Sequence, residues 1–424
     1  MRIEKGICMN KGKDMIIVKK DREFTALVAV FAMILFYLCV MTRHTCDYPG
    51  HAAGMARIPL RPLLNPSNWI SYFSEHGYPL WFMTGHLIMR ILNCPQDYAA
   101  GIDSGIWHVL SYVGVLELFR YLLGDNVNKR HIAVLTFILF LVAPVWLPWR
   151  REHIVLGVGG INVWHNATNI CGRAVGIFAF YFSMKLLDII VDTDYTYKPK
   201  VKMCILLSIL YVISLLAKPS FAQTFVPAYG LLLLYYLIKS KGKFLRQFLI
   251  IAALAVPPIL RLLTQLMYYF GTNTAEKGLM VERTGEGILV VLPTFDTIVN
   301  QVFNTACVLL FPIVMLVIMI LLKQRLDKYH AISWMMYLFG ISSVLCLKGA
   351  ASGEMGWALY MSSFFVFMIG IRDYLKIFWA RESPSANATF HHVLLMVSTI
   401  ALTEQFITGL FYLYELIICR KILF

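Results

Sequence analysis

Apolar runs of membrane-spanning length recur along this chain, with short polar breaks between them. A transmembrane helix needs about 20 mainly apolar residues, within a range of roughly 17–25. Residues 24–41, 102–123, 132–149, 170–190, 201–216, 221–238, 248–267, 302–322, 331–347, 356–371 and 393–414 each approach that requirement. One further apolar stretch, 78–92, is shorter, carries His86 and Arg90, and is closed by Pro95. The pattern predicts an all-α polytopic membrane protein. No internal repeat and no low-complexity segment is evident.

The polar breaks set the direction of the spans. The tail 1–23 carries Arg2, Lys5, Lys11, Lys13, Lys19, Lys20 and Arg22, and cytoplasmic segments are enriched in Lys and Arg. "NKR", "YKPKVK", "KSKGKFLR", "KQRLDK" and "RDYLKIFWAR" are the other basic breaks. They alternate with poorer ones only if 78–92 does not cross, because a crossing there would turn every later basic loop outward. The expected layout is about 11 transmembrane helices with a cytoplasmic N-terminus and juxtamembrane helices in a long first outer loop, 42–101. Arg420 and Lys421 then fall outside, against the trend. Further outer loops are 150–169 and 268–301. The chain divides into a basic tail (1–23), a membrane module (24–267) and C-terminal transmembrane helices (268–424).

Composition agrees with that layout. The 424 residues are 59% hydrophobic and 15% charged, against roughly 25% charged in soluble domains, which leaves too little polar surface for water. A net charge of +14 in a soluble chain would point to nucleic acid. Here basic loops account for it, the lipid bilayer is the expected partner, and nucleic acid is not. No small-residue cleavage site follows the first apolar run, which reads as a retained helix. The expected location is the plasma (inner) membrane, multi-pass. The nine cysteines form no CxxC pair and no zinc spacing, so no metal cluster is expected.

The polar residues with chemical potential collect on the outer face. Asp47 follows the first span, and His51 stands four residues on, so a helix would place both on one side. The second outer loop, "WRREHIVLGVGGINVWHNATNICGR", brings Arg150, Arg151, Glu152, His165 and Asn166. "LAKPSF" puts Lys218 at an outer tip, and "LKGAASGEMGW" puts Lys348 and Glu354 at another. Arg261 lies inside a span, where a charge is a functional candidate by default. Each has a plainer reading. Asp47 suits a helix N-cap, Arg150 and Arg151 suit snorkelling to lipid phosphate, Lys218 before Pro219 suits a turn, and Arg261 suits a backbone carbonyl. Trp149, Trp164 and Trp357 fit an interfacial aromatic belt. Together, one acid and several cations at one depth suit a phosphate-bearing substrate at the membrane surface. Arg binds phosphate bidentately and Lys as a point charge, and a carboxylate can act as general base.

This arrangement resembles the GT-C superfamily of integral-membrane glycosyltransferases. "CDYPGH" matches the position of the acid that opens the family's first outer loop. "EHGYPLWFMTGHLIMRIL" is similar to its following helix, "WHNATNICGRAVGIFAFYF" to its second outer-loop segment, and "SLLAKPSFAQTFVPA" to a segment of bacterial members. The resemblance covers roughly residues 20–240. It implies a polyprenyl-phosphate-linked sugar as co-substrate, a cell-envelope glycan or lipid-linked acceptor, and transfer on the extracytoplasmic side with Asp47 as the catalytic carboxylate, acting as general base. His51, Arg150, Arg151, Glu152, His165, Asn166, Lys218, Arg261, Lys348 and Glu354 would be substrate-binding. Metal-dependent members carry paired acids in the second outer loop; this one offers Glu152 alone, so an inverting, metal-independent reaction with no cofactor is expected. A polysaccharide polymerase is a rival that shares the chemistry. A lipid or glycan transporter of flippase type is another, with Glu404 in the last span in its favour, and a membrane acyltransferase is a third.

Overall fold

A computed structural model of the chain describes residues 22–45, 47–58, 78–147, 160–271, 289–290, 292–348, 352–380 and 388–419. These residues are overwhelmingly helical. In chain order the helices are α1 (Arg22–Thr42), α2 (Asp47–Ala56), α3 (Leu80–Leu92), α4 (Gln96–Leu123), α5 (Lys129–Leu139), α6 (Ala167–Asp192), α7 (Val201–Ala217) and α8 (Ser220–Lys239). They continue with α9 (Leu245–Leu254), α10 (Val256–Gly271), α11 (Phe295–Val308), α12 (Leu310–Leu321), α13 (Lys328–Cys346), α14 (Ser352–Phe378) and α15 (Ala388–Tyr414). The one ladder among the described residues pairs Leu289–Val290 antiparallel with Leu347–Lys348.

Among the described residues, eight helices are long and apolar enough to cross a membrane, or up to nine if the bent pair α11–α12 is one span. Most of α14 is buried all round, with 94% of its apolar window inside the protein, whereas only 11% of that of α1 is. A helix apolar on every face and enclosed by others is the centre of a bundle; α1 faces outward from it. Two runs fall short of the length criterion. The 17-residue α7 is about 26 Å long at 1.5 Å per residue. Among the described residues of the run 132–149, the part up to Leu139 is helical, and 140–147 continues as irregular backbone. Pro144 lacks the N–H that a continuing helix would need there.

Irregular backbone at membrane depth is tolerated only where protein satisfies it. Here Gln405 on α15 does much of that, being 0% exposed. Its backbone oxygen accepts from Ala143 N (2.9 Å), and its side-chain Nε2 lies 3.3 Å from Ala143 O. The same amide serves the 81° bend between α11 and α12. Pro312 sits four residues after Val308, so it cannot donate to Val308 O, and its ring clashes with that carbonyl in a straight helix. Gln405 Nε2 donates to Val308 O instead (2.9 Å), and Gln405 Oε1 accepts from Phe311 N (2.9 Å). Gly409, one turn further along α15, lies so close to the Leu141 carbonyl that any side chain would collide with backbone.

Outside this core, α2 and α3 pack on α4 as a satellite cluster built on Tyr48, Ala52, Met55, Trp81 and Phe82. With 13 residues, α3 extends about 20 Å, too short for a core of about 30 Å. The far end of α6 is tied down separately. Asp188 pairs with Lys328 and accepts from Tyr121 and Tyr329 hydroxyls at 2.8 and 2.6 Å. Arg372 bridges Asp327 and Asp373, which also hold His330. That charged layer fastens α6, α13 and α14 about 30 Å from the first turn of α6, by the helical rise.

Candidate functional site

The first turn of α6 is where the outer polar residues meet. Asn166 is its N-cap, with extended backbone and a side-chain Oδ1 that accepts from Asn169 N at 2.9 Å. Thr168 Oγ1 donates to the same oxygen at 3.0 Å. With Oδ1 so engaged, the amide orientation is set, and Nδ2 points outward as a donor. It reaches Asp47 Oδ2 at 2.8 Å, across 119 positions of sequence. Asp47 is half-buried in the first turn of α2, so its carboxylate is both placed by the fold and open to a ligand.

Lys218 completes the arrangement from the break between α7 and α8. It is 1% exposed, and its Nζ lies 3.3 Å from Asn166 Oδ1 and 3.2 Å from Thr168 Oγ1. The ammonium also stands over the Trp357 ring at 4.4 Å and the Tyr78 ring at 5.6 Å. Ring faces attract a cation, more strongly when it is desolvated. Carboxylate, amide and ammonium therefore form one chain, Asp47–Asn166–Lys218. Gly172 on α6 permits it, since a side chain there would press within 3.0 Å of Lys218 Cβ.

Two imidazoles flank this chain. His51 packs against Trp81 and Phe82, with ring centroids 5.8 and 5.6 Å away. Burial pushes its pKa down to about 4, the nearby Lys218 and His165 adding to the depression and Asp47 opposing it. His165 is 1% exposed, bonds to the Tyr412 hydroxyl at 2.7 Å through Nδ1, and faces Trp357 at 6.0 Å. Burial, then Lys218, lowers its pKa to about 3. Both rings are neutral near pH 7. Each keeps one buried ring nitrogen without a hydrogen-bond partner among the described residues, Nδ1 of His51 and Nε2 of His165.

Five of the residues singled out from the sequence thus come together: Asp47, His51, His165, Asn166 and Lys218. Arg261 lies on α10, half-buried, on a helix that packs against α7. Lys348 is placed by its backbone opposite Leu289 and Glu354 in the first turn of α14, their side chains outside the described set. Arg150, Arg151, Glu152 and Trp149 lie outside the described residues. One expectation needs correcting. Trp164 is not part of an interfacial belt: it is 1% exposed and stacks on His108 at 4.3 Å. Trp357 serves the Lys218 ammonium rather than lipid alone.

Some polar residues here escaped the sequence reading. Arg173, His108 and Asn162 are buried together just below the cluster, and Asp103 is buried on α4 beside Thr84. The signal they carry is an ionisable residue inside an apolar run, the same one that marks Arg261 and Glu404. Set against known proteins, the chain matches no family model and no curated protein.

Proposed function

We propose that this protein is a membrane glycosyltransferase of GT-C type, moving a sugar from a polyprenyl-phosphate donor to a glycan or lipid-linked acceptor on the extracytoplasmic side. The observation that carries the reading is the Asp47–Asn166–Lys218 chain, set among Tyr78, Trp81, Phe82 and Trp357 and two neutral imidazoles. Aromatic faces with neutral hydrogen-bonding groups suit a sugar, and a carboxylate beside a buried ammonium suits proton removal next to a departing phosphate.

In this reading Asp47 takes the proton of the acceptor hydroxyl as that oxygen attacks the anomeric carbon. The carbon–oxygen bond to phosphate breaks, its electron pair stays on the phosphate, and Lys218 stabilises the charge. Attack opposite the leaving group inverts the anomeric centre. Asn166 holds the carboxylate in place, and His51 and His165 hydrogen-bond sugar hydroxyls. No metal enters the scheme. The topology that goes with it has the N-terminus in the cytoplasm of a plasma-membrane protein. α11–α12, α7, and α5 with its continuation 140–147 each cross, giving eleven spans.

The test is Asp47→Asn, assayed with a panel of polyprenyl-phosphate sugars. General base catalysis contributes about 10²–10⁴-fold, so insertion and thermal stability should persist while transfer falls at least about a hundred-fold. Transfer at the parental rate would remove Asp47 from the chemistry. Two observations favour a transporter instead: the break at α11–α12 and the irregular segment 140–147 are discontinuities of the kind transporters use. Lipid-linked glycan flux in proteoliposomes, with no transfer product from any donor, would decide for that reading.

A further inference from the structure

Arg173 lies six residues into α6, about 9 Å below its first residue by the helical rise, and is 4% exposed. Its Nη1 donates to Asn162 Oδ1 at 2.7 Å, and its Nη2 faces the His108 ring nitrogens at 3.3 and 3.4 Å. The guanidinium carbon sits between the Phe140 and Phe364 rings, 5.0 and 4.8 Å from their centres. No carboxylate among the described residues pairs with it. Its Nε is buried without a hydrogen-bond partner, and so is Oδ1 of Asn169, one turn above on the same helix face. A guanidinium stays charged at any ordinary pH, and a charge at this depth is normally paired.

Both of these side chains line one narrow cleft, together with Tyr360, Ile170, Met361 and Phe364. Its enclosed space is about that of one water molecule. The Tyr360 ring packs at a tilt on Trp357, centroids 5.1 Å apart, and Trp357 faces His165, so the cleft adjoins the aromatic side of the Asp47 cluster.

We propose that this cleft is an anion subsite. It takes one oxygen of a carboxylate or phosphate, with Arg173 as counter-charge, while the rest of the ligand lies above against Tyr360 and Trp357. One such oxygen is the size of the space, and the unused Nε–H supplies a charge-assisted hydrogen bond. No described hydrogen bond holds the Asn169 side chain, so a half-turn of its amide offers Nδ2–H to the same oxygen. The subsite does not depend on transfer chemistry, since a transporter of the same ligand would need the same counter-charge.

The test uses the full-length protein in detergent at constant ionic strength. Its thermal unfolding midpoint is followed while inorganic phosphate, glucuronate, or glucose as the uncharged control is added. Binding to the folded state alone raises the midpoint. The expected result is a saturable rise with phosphate or with glucuronate and none with glucose, the effective anion telling phosphate from carboxylate. Arg173→Gln should weaken the apparent affinity roughly ten-fold or more, as loss of a charged hydrogen bond does. Asn169→Leu fills the cleft and leaves the charge, and should abolish the rise even where Arg173→Gln proves unstable. No rise with either anion, or an undiminished rise in Asn169→Leu, overturns the proposal. Because no transfer reaction is read, the result stands apart from the role of Asp47.

Discussion

Replacing Gln405 by Leu isolates the device that lets two broken segments sit inside an apolar bundle. Leucine has nearly the same volume, so packing is largely kept while the amide is lost. Two short bonds disappear, from Phe311 N to Oε1 and from Nε2 to Val308 O, each 2.9 Å long. Neither group has a helical alternative: Pro312 cannot donate to Val308 O, and the 81° bend takes Phe311 N out of register with the preceding helix. Cys307 O keeps a donor, because Val145 N reaches it at 2.9 Å. A buried polar group left unpaired costs about 1–3 kcal/mol, so the two together cost about 2–6 kcal/mol. Thermal unfolding in detergent, followed by tryptophan fluorescence, should show a midpoint lowered by several degrees. Ile407→Ala is the control, since Ile407 lies two residues on and is 59% exposed. If Gln405→Leu unfolds no earlier than Ile407→Ala, the amide is not what sustains the break.

The other expectations concern the cluster and the topology. His51 and His165 both have folded pKa values below the ordinary 6.5, at about 4 and about 3. Below pH 6.5 the unfolded chain therefore binds protons that the folded one does not, and stability falls as the pH is lowered. His165→Gln should flatten the fall in unfolding midpoint between pH 6.5 and 4.5; an unchanged slope would mean that His165 does not titrate in this way. Asn166→Ser retains an oxygen that can cap α6 but lacks the N–H that holds Asp47. It should stay near parental stability yet lose transfer about ten-fold or more, whereas Asn166→Ala should lose about 1 kcal/mol besides. Parental transfer by Asn166→Ser would count against the positioning role. For the topology, Gln96→Cys and Lys241→Cys, both at exposed positions, can be made in a cysteine-free background. The first should label from outside and the second only after permeabilisation; the opposite pattern would invert the proposed orientation.

Much of the helical layout was legible residue by residue. Hydropathy is a local property, so α1, α4, α6, α8, α13, α14 and α15 could be read from their own sequences. The short α3 and its closure near Pro95 could be read as well. So could the pairing of Asp47 with His51 on one face of α2, because the i, i+4 relation needs only a helix. What could not be read is where a helix breaks and what repairs it. The run 302–322 is as apolar as its neighbours, yet it turns at Leu309, where a glutamine 94 positions beyond Phe311 satisfies the backbone on either side. Likewise, nothing near Asp47 announces Asn166, and nothing near Arg173 announces Asn162 and His108 as its partners. The reason is the solvent. Lipid chains and a protein interior are equally apolar, so burial among helices leaves no mark in hydrophobicity. Which apolar face meets lipid and which meets another helix is decided by close packing. So is which polar group finds its partner across the bundle, and both come only with the assembled tertiary structure.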